Sequence, residues 1–550
     1  MHVSNRMLRP LLALLATHLL FSSYLLLAIE SDRWFFWLIP PFELILAAWF
    51  LLSRGKTERS ASPRNWGAAA LFALLTYRLA GELFYRFFYL QNFSILNDSS
   101  LMVGFAGMLM GETALPPLLL GIAVWVLTIA LLISIGKLLG LAFQKIAGES
   151  PLLPGLGWTL PILAASLASA FLIPTLSPVG SLAADVMEQA SLRRAANAAM
   201  ALADQSPPAS PAAASDQEQE DYVFPIIRDQ DVHFFVIESY GATLYMRDEY
   251  LEAIQSTYGE LEPRLRSRGW DIYTGFVRSP AFGGRSWLAD SSLLTGTFLA
   301  NQAIFEAEIS DGLPAQMLTF MADAGYHRIY AAPGTNGATD EWKIAYPFEE
   351  YLERYNYGYQ GPFLNLGAMS DQYVLDRVGR FHIEEERRDF AMYILVSSHV
   401  PFTIIPQYKP DWDFSRFGRE YEDGYLSYFD NNWLSGNELA EGYLAGIDYS
   451  LRSIEGYIET HLDDQGFILI IGDHQPRKPV SVPTAGYAVP FHILTRRGTP
   501  LQFPAEWTLS RTLMPPPLPP DESVLGTIAD IPGLVQELLL TPPEAAQFIR

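Results

Sequence analysis

The chain has 550 residues, half of them hydrophobic, no cysteine and a formal net charge of −23 at pH 7. Its length allows more than one domain, the missing cysteines exclude disulfide bridges, and the acidic balance, which falls largely after residue 176, argues against a nucleic-acid surface. Long apolar runs fill the first third, and the remainder has ordinary globular composition.

Five runs in that first third, Leu8–Ile29, Trp34–Leu52, Gly67–Tyr89, Leu115–Lys137 and Trp158–Leu176, are each long enough to cross a hydrocarbon core of about 30 Å. Together they predict a five-helix transmembrane domain over residues 1–176. Arg6 and Arg9 lie at the start of the first run, Arg54, Lys56, Arg59 and Arg64 follow the second, and Lys137 and Lys145 lie at and after the end of the fourth. The positive-inside rule then places the N-terminus in the cytoplasm and everything after Leu176 outside it. Arg78, Glu82 and Arg86 share one face of the third span. They read either as an internal ion-pair ladder or as a contact for an anionic lipid headgroup.

Residues 177–230 read as a connector. Ala183–Ala203 is Ala-rich and helical in pattern, Ser181-Leu182-Ala183 has the small–x–small spacing of a signal-peptidase site, and the stretch from Ser206 is a low-complexity flexible linker. From residue 231 to 550 strand and helix patterns alternate. Strands are predicted from Asp231 (DVHFFVIES), Trp270 (WDIYTGFV), His327 (HRIYAA), Phe390 (FAMYILVSS), Gly466 (GFILIIGD) and Tyr487 (YAVPFHILT). Helices are predicted over Thr243–Arg268, from Ala315 and from Glu438. Continuous apolar strands alternating with amphipathic helices predict an α/β domain with a largely parallel sheet covered on both faces.

Three of these strands end in conspicuous polar residues: Glu238-Ser239, His399, and Asp473-His474. Parallel strands deliver their C-terminal ends to one side of the sheet, where ligands bind in such folds, so these groups are placed to converge. Adjacent Asp and His suit a divalent cation, although each residue also has a purely structural reading. A hydroxyl is available in SPAFGGRSWLADSSLLTG, where Gly283-Gly284 gives a turn and Ser286 opens a helix. Ser286 reads either as an ordinary helix N-cap or as a nucleophile set at the positive end of a helix dipole.

Strand-Glu-Ser, a Gly-rich turn with a hydroxyl, strand-His-x-Pro-Phe and strand-Gly-Asp-His, in this order, resemble the alkaline phosphatase–sulfatase superfamily. With the five spans, the chain most resembles lipoteichoic acid synthases and related membrane phosphoglycerol transferases. GYLAGIDYSLRSIEGYI, YAVPF and TIADIPGLVQELL extend the likeness. The resemblance implies a sulfatase-like outer domain in which Glu238, Asp473, His474 and Ser286 ligate one divalent metal, Mn²⁺ by analogy, with Zn²⁺ or Mg²⁺ as the other fits. It implies Ser286 as nucleophile, where the family has Thr, His399 beside the transferred group, and Trp342 in the substrate pocket. It also implies a membrane phospholipid donor, phosphatidylglycerol first, and a glycan or polymer acceptor in the cell envelope.

Four residues depart from the family's pattern. Lys343-Ile344 follows Trp342 where the family has Asn-Arg, Val236 stands where it has His, and Lys478 where it has Ser. Lys343, Arg477 and Lys478 are the cations available to replace the missing arginine. Two other functions remain open on the sequence: a phosphodiesterase or sulfatase-type hydrolase using water, and a non-catalytic membrane scaffold. Ser279-Pro280-Ala281 lacks the spacing and the Arg of a formylglycine sulfatase.

Overall fold

The computed structural model describes Ile227 and residues 230–540, apart from short segments within that span. The described residues fall in the second of two units into which the chain divides, Ala214–Arg550. The five apolar runs, the connector helix and the Ser181-Leu182-Ala183 triplet lie outside the described residues, as does Lys478. Among the described residues no helix is long and apolar enough to cross a membrane.

The centre of the domain is a seven-stranded sheet. Its strands are β1 (Val232–Ile237), β2 (Trp270–Arg278), β3 (His327–Ala332), β4 (Glu350–Glu353), β5 (Asp389–Leu395), β8 (Phe467–Gly472) and β9 (Ala488–Arg496), in the order β2-β9-β8-β1-β5-β3-β4. The run from β8 through β4 is parallel, and only β9 runs against its neighbours. A separate two-stranded ribbon pairs β6 (Ile404–Pro406) with β7 (Tyr425–Ser427). Every residue of β1 and β8 is buried, His233 included, as in a parallel sheet covered on both faces.

Alternation along β1 splits the core in two. Phe235 and Ile237 face one apolar cluster, Val232, Phe234 and Val236 the other. The first cluster is closed by α1 (Asp248–Ser267), which buries Tyr250, Ile254, Tyr258, Leu261 and Leu265 in steps of three and four. The helix α7 (Gly436–His461) does the same with Leu439, Tyr443, Ile447, Leu451, Ile454 and Ile458. These stripes are the ordinary solution for a helix lying on a sheet. The second cluster is covered by α2 (Ser286–Thr295), α4 (Gln316–Asp323) and α8 (Ile531–Leu540).

The predicted strands are all present, and the helices from Ala315 and Glu438 appear as α4 and α7. The predicted helix over Thr243–Arg268 is broken. A 3₁₀ turn at Ala242–Tyr245 precedes α1, because Arg247 is extended (φ −121°, ψ 135°). The short helices α3 (Gln302–Asp311) and α5 (Asp340–Ala345), the helix α6 (Asp371–Phe381), strand β4 and the β6–β7 ribbon have no counterpart in the sequence reading. Glu350–Glu353 carries no apolar run; it becomes a strand only by pairing in parallel with β3 at the sheet edge.

Register fixes the site. Ile237 stands opposite Gly472 on β8 and opposite Leu395 on β5, so the three strands end level. Gly472 is required there: a Cβ would fall within the van der Waals envelope of the Tyr240 carbonyl oxygen. Gly472→Ala therefore has no relaxed solution in the closing loops. It should destabilise the domain by about 3 kcal/mol or more, readable as a drop in the melting transition.

Candidate active site

Glu238 follows β1, and Asp473 and His474 follow β8, directly beyond the level strand ends. Ser239 adopts a left-handed conformation (φ 62°), which turns the chain so that its amide donates to Asp473 Oδ1 at 2.7 Å. The His474 amide donates to the same oxygen at 2.6 Å. Asp473 Oδ2 thus remains to face His474 Nε2 at 3.4 Å. His474 Nδ1 donates to the Gln475 carbonyl at 2.8 Å, which leaves Nε2 pointing inward, 3.3 Å from Glu238 Oε1. All three side chains are buried.

Ser286 completes the cluster. Its hydroxyl donates to Glu238 Oε2 at 3.0 Å and lies 3.2 Å from His474 Nε2. It does not cap its helix. The N-cap position of α2 is Arg285, held in a left-handed conformation (φ 66°) behind Gly283 and Gly284, with no side-chain cap bond. The N-cap reading of Ser286 is thereby set aside: the strained GGR turn places its Oγ over the carboxylates, not over the helix amides.

The donor set suits a divalent cation. One ligand atom each from Glu238, Asp473 and His474 lie within 4.8 Å of one another. Two carboxylates, one imidazole with its outer nitrogen tied to a carbonyl, and a hydroxyl are the oxygen and nitrogen donors such an ion takes. Electrostatics point the same way. Burial alone would push Glu238 up, but the imidazoles of His399 and His474 hold it below the ordinary carboxylate range. Burial and the neighbouring Glu238 push Asp473 up to about 8. Burial opposes the charge on His474, yet the two carboxylates raise it to about 9. A proton is thus retained where a cation would otherwise balance the carboxylates.

His399 sits on the turn after β5, its Nε2 3.9 Å from Glu238 Oε1. Its Nδ1 donates to the Val400 carbonyl, so Nε2 faces the cluster. Burial lowers its pKa, against the pull of Glu238, and Arg477 is close enough to lower it further. The turn is clamped from behind by Asp371, the first residue of α6. Asp371 Oδ1 accepts from the Val396 and Ser397 amides at 2.9 and 3.0 Å, and Oδ2 from the Ser450 hydroxyl at 2.6 Å. Ser398 donates to the Glu238 carbonyl at 2.6 Å, tying the turn to a ligand residue.

Trp342 and Lys343 lie on α5. Trp342 packs against Tyr346 with ring centroids 4.4 Å apart, and the Lys343 ammonium lies 5.3 Å from the Tyr351 ring centroid. Among the described residues no hydrogen bond or ion pair joins either to the Ser286 cluster. The sequence reading missed Asp371 and Ser398, and it noted Ser239 at a strand end without giving it a role. Only Asp371 carried a signal: Ser370-Asp371 ahead of Tyr373, Val374 and Val378 is a helix-start pattern, and Ser370 does cap α6 by accepting from the Tyr373 amide.

Residues 246–500 match the family model described as Sulfatase. That match marks a sulfatase-like domain over these residues. No curated protein sequence matches the chain. Among solved structures, the chain is similar to the lipoteichoic acid synthase LtaP from Listeria monocytogenes. That match has 19% identity, 51% of this chain, 69% of that one and a TM-score of 0.35. It is similar to the phosphoglycerol transferase GacH from Streptococcus pyogenes in complex with sn-glycerol-1-phosphate, with 16% identity, 50% and 70% coverage and a TM-score of 0.35. A third similar structure is the integral membrane lipooligosaccharide phosphoethanolamine transferase EptA from Neisseria meningitidis, with 14% identity, 90% coverage of each chain and a TM-score of 0.41.

Proposed function

We propose that the protein transfers a phospholipid headgroup to an acceptor in the cell envelope through a covalent Ser286 intermediate. The observation that carries this reading is the placement of the Ser286 hydroxyl, which abandons the helix cap for Glu238 Oε2 and His474 Nε2. Ser286 Oγ attacks the donor phosphorus; the new Oγ–P bond replaces the bond from phosphorus to the diacylglycerol oxygen. The hydroxyl proton passes to the neutral His399 Nε2 and from there to the diacylglycerol oxygen, so that diacylglycerol departs protonated and Glu238 stays ionised. An acceptor hydroxyl on a glycan or growing polymer then attacks the phospho-serine and restores Ser286. Glu238, Asp473 and His474 would hold a divalent ion, Mn²⁺ by analogy, which lowers the pKa of the nucleophile and offsets charge on the phosphoryl oxygens.

His399 Nε2 is oriented to exchange a proton with the leaving or entering oxygen, and its depressed pKa keeps it neutral and able to accept one. Arg477, which already acts on His399, and its neighbour Lys478 are assigned to the donor's negative charge, with Lys343 and Trp342 on the headgroup side. Glycerol phosphate is the first candidate group. A lipid donor explains a multi-pass anchor, with the five apolar runs as spans and the sulfatase-family domain outside the cytoplasm.

The full chain in detergent, supplied with divalent metal and phosphatidylglycerol or phosphatidylethanolamine, should release diacylglycerol from one of them. Release from no phospholipid under any divalent metal would overturn the reading. The orientation has its own test. Protease added to intact spheroplasts should cut the linker at residues 206–222, and protection of that segment would reverse the topology.

A further inference from the structure

Asp290 lies one helical turn after Ser286 on α2, on the same face. Its side chain is buried, 5% exposed, and its Oδ1 has no hydrogen-bond partner. Its neighbours on the helix, Ala289 and Leu293, belong to the apolar core. Among the described residues no lysine or arginine forms an ion pair with it. The charges that act on it are Asp473, Glu238 and His474, and burial together with the two carboxylates pushes it well above the ordinary carboxylate range. An uncompensated buried carboxylate is costly, and an apolar or amide side chain at this position would remove the cost. Asp290 is also no part of the ligand trio, whose donor atoms are those of Glu238, Asp473 and His474. In the cation-free protein a proton offsets its charge; a cation seated on the trio, which Ser286 one helical turn earlier contacts, would offset it in the loaded protein.

We propose that Asp290 is a non-ligating carboxylate that strengthens divalent-cation binding at Glu238, Asp473 and His474 and destabilises the cation-free protein. The proposal rests on the reading of that trio as a metal site. It separates two quantities that a structural role would move together. Losing the Asp290 carboxyl should weaken the bound state and relieve the empty one.

The test is a titration of the full-length protein with Mn²⁺ alone, by calorimetry, with melting temperatures recorded with and without the ion. Asp290→Asn, which keeps size and shape, should bind Mn²⁺ at least tenfold more weakly than wild type. Its cation-free form should melt higher. Asp290→Leu should move both readouts in the same directions, and Asp290→Glu, which keeps the charge, should bind more tightly than either. An unchanged Kd in Asp290→Asn overturns the proposal and leaves the metal reading standing. A weaker Kd with a lower cation-free melting temperature also overturns it, since Asp290 would then be a structural residue. No Mn²⁺ uptake by the wild type would sink the metal reading itself, and the proposal with it.

Discussion

Ser286→Ala should abolish turnover and leave the protein folded. The reasoning is local. Ser286 makes no cap bond to α2, and its two polar contacts go to Glu238 and His474, so truncation removes no support from the helix. A true N-cap loss would cost about 0.5–2 kcal/mol, and here the melting temperature should stay at the wild-type value. Activity should fall by roughly 10⁴-fold or more, because the variant lacks the atom that bonds to phosphorus. Ser286→Thr keeps the hydroxyl and should retain measurable turnover. The family expected at this site uses Thr, and the left-handed Arg285 turn positions the backbone rather than the methyl. The same protein, given donor without acceptor, should show a mass increment on the peptide that contains Ser286. That increment identifies the group, since glycerol phosphate, phosphoethanolamine and sulfate differ in mass. Near-normal turnover in the Ala variant would end the covalent mechanism.

What could be read from the sequence was what local chemistry decides. Phe467–Gly472 and Val232–Ile237 read as central strands, and every residue of both is buried. Once they were parallel, Glu238, Asp473 and His474 had to emerge on one side. Gly472 was visible but its reason was not, because the Tyr240 carbonyl reaches it only through the loop that follows β1. Ser286 was legible as a helix-opening hydroxyl, but the choice between cap and nucleophile depended on the φ of Arg285, which sequence does not display.

Asp290 was invisible for a related reason. In WLADSSLL it looks like any polar residue on a short helix, and only the folded domain makes it a buried carboxyl under the influence of two others. Asp371 does its work through Val396 and Ser397, 25 and 26 residues away, a distance that no periodicity spans. Lys343 and Trp342 were selected by their motif. The fold places them on α5 among Tyr346 and Tyr351, so their part in the reaction rests on where a headgroup extends from Ser286.

Asp473→Ala should empty the metal site. Asp473 serves twice: Oδ1 anchors the Ser239 and His474 amides, and Oδ2 faces His474 Nε2 inside the cluster. Outer-shell changes typically weaken metal sites by about 10–100-fold, and loss of an anionic ligand together with its anchoring role should exceed that range. Elemental analysis of the full-length protein should fall from about one ion per chain to near none. Full occupancy in the variant would refute the assignment.

The same residue sets a pH signature for the cation-free wild type. Asp473 is raised to about 8 in the fold and His474 to about 9. Each binds its proton more tightly folded than unfolded, so each contributes stability that is present at lower pH and lost as pH rises through those values. Glu238, held low, stays ionised across the window and adds no slope. The melting temperature without metal should therefore fall as the pH rises from about 7 to about 9. Saturating Mn²⁺ should flatten that decline, because the ion replaces the shared proton as the balancing charge. Asp473→Asn should also flatten it, by removing one titrating group while keeping an acceptor for the two amides. A decline of the same steepness with and without Mn²⁺ would mean that the cluster does not exchange its proton for a cation.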